Sequence, residues 1–171
     1  TWDAWRQDPT PCERLVFISI EKHPLRADDL RQAHAASPLP EQAAELVAAW
    51  PPLTPNLHAL SFESGRVQLL LCFGDVHLWL RELVADPVDA FYLDGFAPAQ
   101  NPAMWDGHVL KALGRRAAPD ATAASWSVAP VVREGLAAAG FSVERQRGFS
   151  NKGGMCVARF APRHQAQRPA G

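Results

Sequence analysis

Three short apolar runs in this sequence each stop abruptly at a carboxylate. Leu15–Ile20 (LVFISI) is followed by Glu21, Val67–Phe73 (VQLLLCF) by Gly74-Asp75, and Val88–Leu93 (VDAFYL) by Asp94. Runs of β-branched and aromatic residues with little alternation are the pattern of strands buried on both faces. Between them lie stretches with helical punctuation. Pro24 and Asp28-Asp29 open one helix to about Ala36, and a second runs from Glu41 to Trp50 before Pro51-Pro52. The segment LHALSFESGRVQLLLCF reads as a hairpin turning at Glu63–Arg66, with a short helix from Val76 to Leu83 behind it. Asn101, as a natural cap before Pro102, starts a helix with Trp105, Val109, Leu110 and Leu113 on one face and Arg115-Arg116 at its end. Ala121–Trp126 reads as a strand, Pro130 opens a helix to Gly140, and Phe141–Arg147 with Met155–Phe160 form a terminal antiparallel pair.

Strand and helix units in alternation predict an α/β fold built on a doubly wound, largely parallel sheet that ends in an antiparallel pair. At 171 residues, with 47% hydrophobic and 20% charged residues, the chain suits one globular domain over residues 1–160 and excludes a disordered protein. Residues 161–171, polar and proline-containing, are expected to lie outside it as a tail or linker. The apolar runs are far shorter than the roughly 20 residues that cross a bilayer. The opening TWDAWRQD lacks the basic-then-apolar order of a secretory signal, so no membrane association and a cytoplasmic location are expected. Cys12, Cys72 and Cys156 are scattered, with no CxxC pair, and read as buried thiols. The six histidines show no HxxxH or HxH spacing, so no metal site is expected.

Ligands of open parallel sheets sit outside the carboxyl ends of the strands, which singles out Glu21, Asp75 and Asp94. A carboxylate there can accept hydrogen bonds from ribose hydroxyls or from an adenine amine, so the pattern asks for a ligand containing a nucleoside. Acids at strand ends also cap helices, and that reading stays open for Glu21 and Asp75. For Asp94 it is weaker, because the following helix already has Asn101. The Asp94 carboxylate, in a loop restrained by Gly95 and Pro98, is expected to be partly buried. Charge is divided along the chain: residues 1–110 hold 15 acidic and 7 basic side chains, residues 111–171 hold 3 and 10. A basic carboxyl-terminal portion suits a polyanionic partner, although plain solvated charge gives the same count.

The segment FYLDGFAPAQNPAMW (91–105) resembles the FLDGFAPAKNPxMW signature of the methyltransferase domains of the MnmC family, bifunctional proteins of tRNA 5-methylaminomethyl-2-thiouridine biosynthesis. The likeness extends to FISIEKHPL (17–25), FGD (73–75), the helix before Gly140-Phe141 and the GF…K…M pattern of 148–155. It implies a Rossmann-like class I methyltransferase fold whose first strand and glycine-rich loop would precede Thr1. It further implies S-adenosylmethionine-dependent methylation of the aminomethyl group on the wobble uridine of tRNA, with a carboxyl-terminal FAD-dependent oxidase in many members. Glu21, Lys22, Gly74, Asp75, Asp94 and Phe96 are then the expected cofactor-binding residues, with Glu21 at the ribose and Asp75 at the adenine. Asp94 is the expected catalytic residue, orienting the amine. Phe96 and the loop from Pro98 to Asn101 would wall the adenine or the target base. Arg115, Arg116, Arg145, Arg147 and Lys152 are candidate contacts to tRNA phosphates. Gly153 and Gly154 stand where family members often carry charged side chains. The alternatives are a related methyltransferase with another amine or RNA acceptor, and a non-catalytic module that docks tRNA or dimerises.

Overall fold

The computed structural model describes residues 1–95, 97–148 and 153–161. Phe96, Lys152 and residues 162–171, on which three of the expectations above fall, lie outside the described residues. The chain forms two compact units, Thr1–Arg81 and the residues from Glu82 onward.

The first unit opens with α1 (Trp2–Gln7), an element the sequence does not announce. No side chain caps its start. Tertiary contacts hold it instead: Trp2 packs on Phe62 with ring centroids 4.6 Å apart, and Trp5 is buried with Phe62 and Val67. The Arg66 guanidinium lies 4.7 Å over the Trp5 ring. Three strands follow, β1 (Leu15–Glu21), β2 (Leu57–Phe62) and β3 (Val67–Phe73), in the order β1-β3-β2. β1 and β3 are parallel, pairing Leu15 with Val67 through Glu21 with Phe73, while β2 and β3 form the expected antiparallel hairpin. The crossover from β1 carries α2 (Ala27–Ala33) and α3 (Pro40–Ala49), and α4 (Val76–Glu82) follows β3.

The second unit contains β4 (Val88–Tyr92), α5 (Gly107–Arg116), β5 (Ala117–Ser125), α6 (Pro130–Ala138), β6 (Phe141–Gln146) and β7 (Met155–Phe160). Its strand order is β4-β5-β7-β6, with β4 parallel to β5 and β7 antiparallel to both β5 and β6. Trp105, Leu110, Val132, Leu136 and Cys156 are its most deeply buried side chains, and Phe91, Phe141 and Phe160 meet edge to face.

The alternation of strands and helices expected from the sequence is present, with the pairings distributed over two sheets; β1 and β4, expected to be buried on both faces, are edge strands with no fully buried residue. Three local expectations are corrected. The helix expected from Asn101 is a 3-10 turn (Pro102–Trp105) that breaks before α5, and Asn101 makes no side-chain cap bond. Asp106 caps α5 instead, accepting the backbone N–H groups of His108 at 2.8 Å and Val109 at 2.9 Å. β5 begins at Ala117, four residues before the expected Ala121, and carries Asp120 at φ +62°. Cys12 is exposed in the polar loop before β1, whereas Cys72 and Cys156 are buried as expected, and burial pushes both thiols upward in pKa. Among the described residues no helix is long and apolar enough to cross a membrane, and no three His, Cys, Asp or Glu side chains cluster as around a metal ion.

Candidate functional site

In the first unit, parallel pairing brings the carboxyl ends of β1 and β3 side by side. Glu21, the last residue of β1, pairs with Phe73, and its carbonyl accepts the Gly74 N–H at 2.9 Å. The exposed Glu21 carboxylate receives the backbone N–H of His23 on Oε1 at 2.8 Å. Its Oε2 has no partner among the described residues. Gly74 has φ +145°, and a Cβ there would lie 3.0 Å from the Trp79 indole nitrogen. That backbone turn, which an L side chain resists, directs the chain from β3 into α4 and sets Asp75 at the helix start.

Asp75 is fixed from two directions. Its Oδ1 accepts the His77 N–H at 2.9 Å, and its Oδ2 faces Lys22 Nζ at 3.2 Å. The His77 N–H first, and Lys22 second, hold the Asp75 carboxyl below the usual carboxylate range. Lys22 thus points at the neighbouring acid. Both partners are largely solvated, so this ion pair contributes at most about 1 kcal/mol. The Trp79 Nε1–H, behind Gly74, is buried without a hydrogen-bond acceptor among the described residues.

In the second unit the carboxyl ends of β4 and β5 are likewise adjacent. The ladder pairs Tyr92 with Ala124, and the Leu93 N–H donates to the Ala124 carbonyl at 2.8 Å. Two residues beyond that pair stand Asp94 on one strand and Trp126 on the other. The Trp126 Nε1–H donates to the Gly95 carbonyl at 3.1 Å, tying the two strand ends together. Asp94 is exposed, not partly buried as its loop suggested, because the chain leaves the sheet at once after the buried Leu93. The 97–101 segment forms a turn in which Gln100 and Asn101 both donate to the Ala97 carbonyl.

The antiparallel return of β7 and β6 brings further residues to this end. Ser125 pairs with Cys156, and Cys156 with Arg145. Trp126, Val128, Arg145, Gly153 and Gly154 line an open cleft of about 490 Å³. The expected basic residues differ in their circumstances. Arg115, Arg145 and Arg147 are exposed, whereas Arg116 is half-buried and directs its guanidinium at the carbonyls of Ala112 and Leu83, both at 3.5 Å. Trp126 escapes a sequence reading because it closes the apolar stretch ATAASW as an ordinary last strand residue would. Only the β4–β5 register places it beside Asp94.

Comparison with known proteins gives four matches. The profile of a family described as S-adenosyl-L-methionine-dependent methyltransferase matches residues 37–161. A protein of Methylibium petroleiphilum, "tRNA 5-methylaminomethyl-2-thiouridine biosynthesis bifunctional protein MnmC", is 65% identical over 171 residues, covering 100% of this chain and 26% of its own length. A Burkholderia vietnamiensis protein of the same name is 51% identical over 98% of the chain, again with 26% of its own length covered. The chain therefore spans about a quarter of the length of these relatives. Among solved structures, MNMC2 from Aquifex aeolicus superposes with a TM-score of 0.71 at 24% identity, over 94% of this chain and 49% of that one, which establishes a shared fold.

Proposed function

Since the chain belongs to the family of S-adenosyl-L-methionine-dependent methyltransferases, we propose that it transfers the methyl group to the aminomethyl nitrogen of a modified wobble uridine in tRNA. The observation that carries this acceptor is the unbroken likeness of the whole chain to a protein named for tRNA 5-methylaminomethyl-2-thiouridine biosynthesis. In that reading the rest of such a bifunctional protein holds the FAD-dependent oxidase, and this chain holds the methyl-transfer step.

The donor set at the ends of β1 and β3 fits a nucleoside cofactor. Glu21 offers Oε2 to a vicinal diol while His23 holds its other oxygen. Asp75, ionised and fixed by His77 and Lys22, keeps lone pairs for an exocyclic amine. Lys22 serves here by orienting Asp75, and Gly74 by turning the backbone. When bound, S-adenosylmethionine supplies an electrophilic methyl group on a sulfonium.

The acceptor nitrogen must present a lone pair. An alkylammonium of pKa about 9–10 costs roughly 3–4 kcal/mol to deprotonate at pH 7. Asp94, exposed at the end of β4, accepts a hydrogen bond from the amine, fixes its direction, and lets the proton leave to adjacent water. Arg115, Arg145 and Arg147 contribute exposed positive charge for tRNA phosphates, which makes binding salt-sensitive. Asp94→Asn in the full-length gene product is expected to lower kcat by about a hundredfold while the Kd for S-adenosylmethionine, measured by calorimetry, stays within about twofold. Methylation at the wild-type rate would remove Asp94 from the mechanism.

A further inference from the structure

The cleft at the carboxyl end of β5 has a composition that methyl transfer to a small free amine would not require. Its floor and walls are the 40%-exposed indole of Trp126, the apolar Val128, the Arg145 guanidinium and the bare backbone of Gly153-Gly154. A Cβ on Gly154 would sit 3.2 Å from Arg145 Nε and 3.3 Å from Val128 Cγ1, so the bare glycine backbone lets the Arg145 side chain approach this strand end closely. Arg145 makes no ion pair among the described residues. By contrast Arg159 is matched by Asp120 at 3.5 Å, and Arg133 Nε donates to the Val128 carbonyl at 3.2 Å. A large aromatic face and a guanidinium without an ion pair among the described residues, in an open cleft of about 490 Å³, are the two elements with which proteins hold an unstacked nucleotide.

We propose that this cleft receives the acceptor nucleotide itself, with the base stacked on Trp126 and a flanking phosphate on Arg145. The inference rests on the RNA-directed reading given above and specifies how the acceptor is held. A loop base is unpaired and can be splayed out of its stack, and a base so displaced needs a surface that replaces the lost stacking. Trp126 is at the right place for this: its indole N–H is bonded to Gly95, the residue next to Asp94, so a base lying on the ring is brought up beside the carboxylate. The sequence tolerance of stacking leaves recognition of the particular uridine to its substituents.

Trp126 also props the Gly95 carbonyl, and the test must separate the two roles. The full-length gene product is assayed on an anticodon stem-loop RNA carrying 5-aminomethyl-2-thiouridine at the wobble position, with S-adenosylmethionine affinity measured in parallel by calorimetry. Trp126→Phe, which keeps a stacking face but loses the bond to Gly95, is expected to retain the KM for RNA within about twofold. Trp126→Ala is expected to raise that KM about tenfold or more with the cofactor Kd unchanged. Arg145→Ala is expected to raise it several-fold and to lower the slope of log affinity against log salt by about 1. Equal damage from Phe and Ala at position 126 would show that the strut to Gly95 is the whole role and overturn the proposal, as would an unaltered KM in Trp126→Ala and Arg145→Ala. Absence of methyl transfer to the RNA by the unmodified protein would overturn the RNA-directed reading, and this cleft's role with it. Normal transfer with indifferent variants would overturn the cleft alone.

Discussion

Asp75 shows how a single carboxylate can be fixed without being buried. Its two oxygens face a backbone N–H and an ammonium, and both favour the ionised form. The sign of the pH effect follows. A group whose folded pKa is depressed adds stability above its unfolded pKa of about 3.9, and the addition is lost as pH falls through the lower folded value. Asp75→Ala should therefore cost about 1 kcal/mol at pH 5–7, the worth of a helix cap. The gap to wild type should narrow below about pH 4. Urea unfolding from pH 7 to pH 3 measures it, and a gap constant to pH 3 would mean that ionisation of Asp75 is not coupled to folding. The positions of Glu21, Asp75 and Asp94 at or just past strand ends were legible in the sequence, because each apolar run stops where its strand stops. The exposure of Cys12 and Asp94 was not legible, since it depends on how sharply the chain leaves the sheet after each run.

Among the elements, those with strong local chemistry could be read and those held by distant contacts could not. The hairpin of β2 and β3 has its turn residues, α6 its Pro130 start and Gly140 stop, and the β6–β7 pair its short connection. In contrast α1 is six residues long, has no side-chain cap, and exists because Trp2 and Trp5 meet Phe62 and Val67 some 60 positions away. The break between the Pro102–Trp105 turn and α5 was hidden because the apolar spacing of Trp105, Val109, Leu110 and Leu113 suits one continuous helix equally well. Helix packing in the second unit leads to a prediction that runs against intrinsic propensity. Alanine in a helix interior is favoured over glycine by about 1 kcal/mol. A Cβ on Gly114 of α5, however, would strike the Ala139 backbone carbonyl, which cannot rotate away. Gly114→Ala is expected to destabilise the protein by about 1–3 kcal/mol through overpacking, read as a lower urea midpoint. A stabilised variant would show that the approach of α5 to Ala139 is looser than described.

For the molecule as a whole, the fold and the family could be read from the chain because FYLDGFAPAQNPAMW joins the end of a strand, its terminal acid and a turn in one contiguous segment. The proposed acceptor site could not be read so directly. Asp94, Trp126 and Arg145 come from three strands, and only the parallel β4–β5 and antiparallel β5–β7–β6 pairings bring them to one end. The concentration of basic side chains after residue 110 is consistent with a polyanionic acceptor and predicts that affinity for tRNA falls steeply with salt. The central claim is that the methyl group of S-adenosylmethionine goes to an amine on tRNA. It is tested most directly by incubating the full-length gene product with methyl-labelled S-adenosylmethionine and two otherwise identical tRNAs, one with an aminomethyl wobble uridine and one with an unmodified uridine. The account predicts label in the first tRNA, recovered as the methylaminomethyl nucleoside, and none in the second. Equal labelling of both, or label in neither while the cofactor binds, would contradict it.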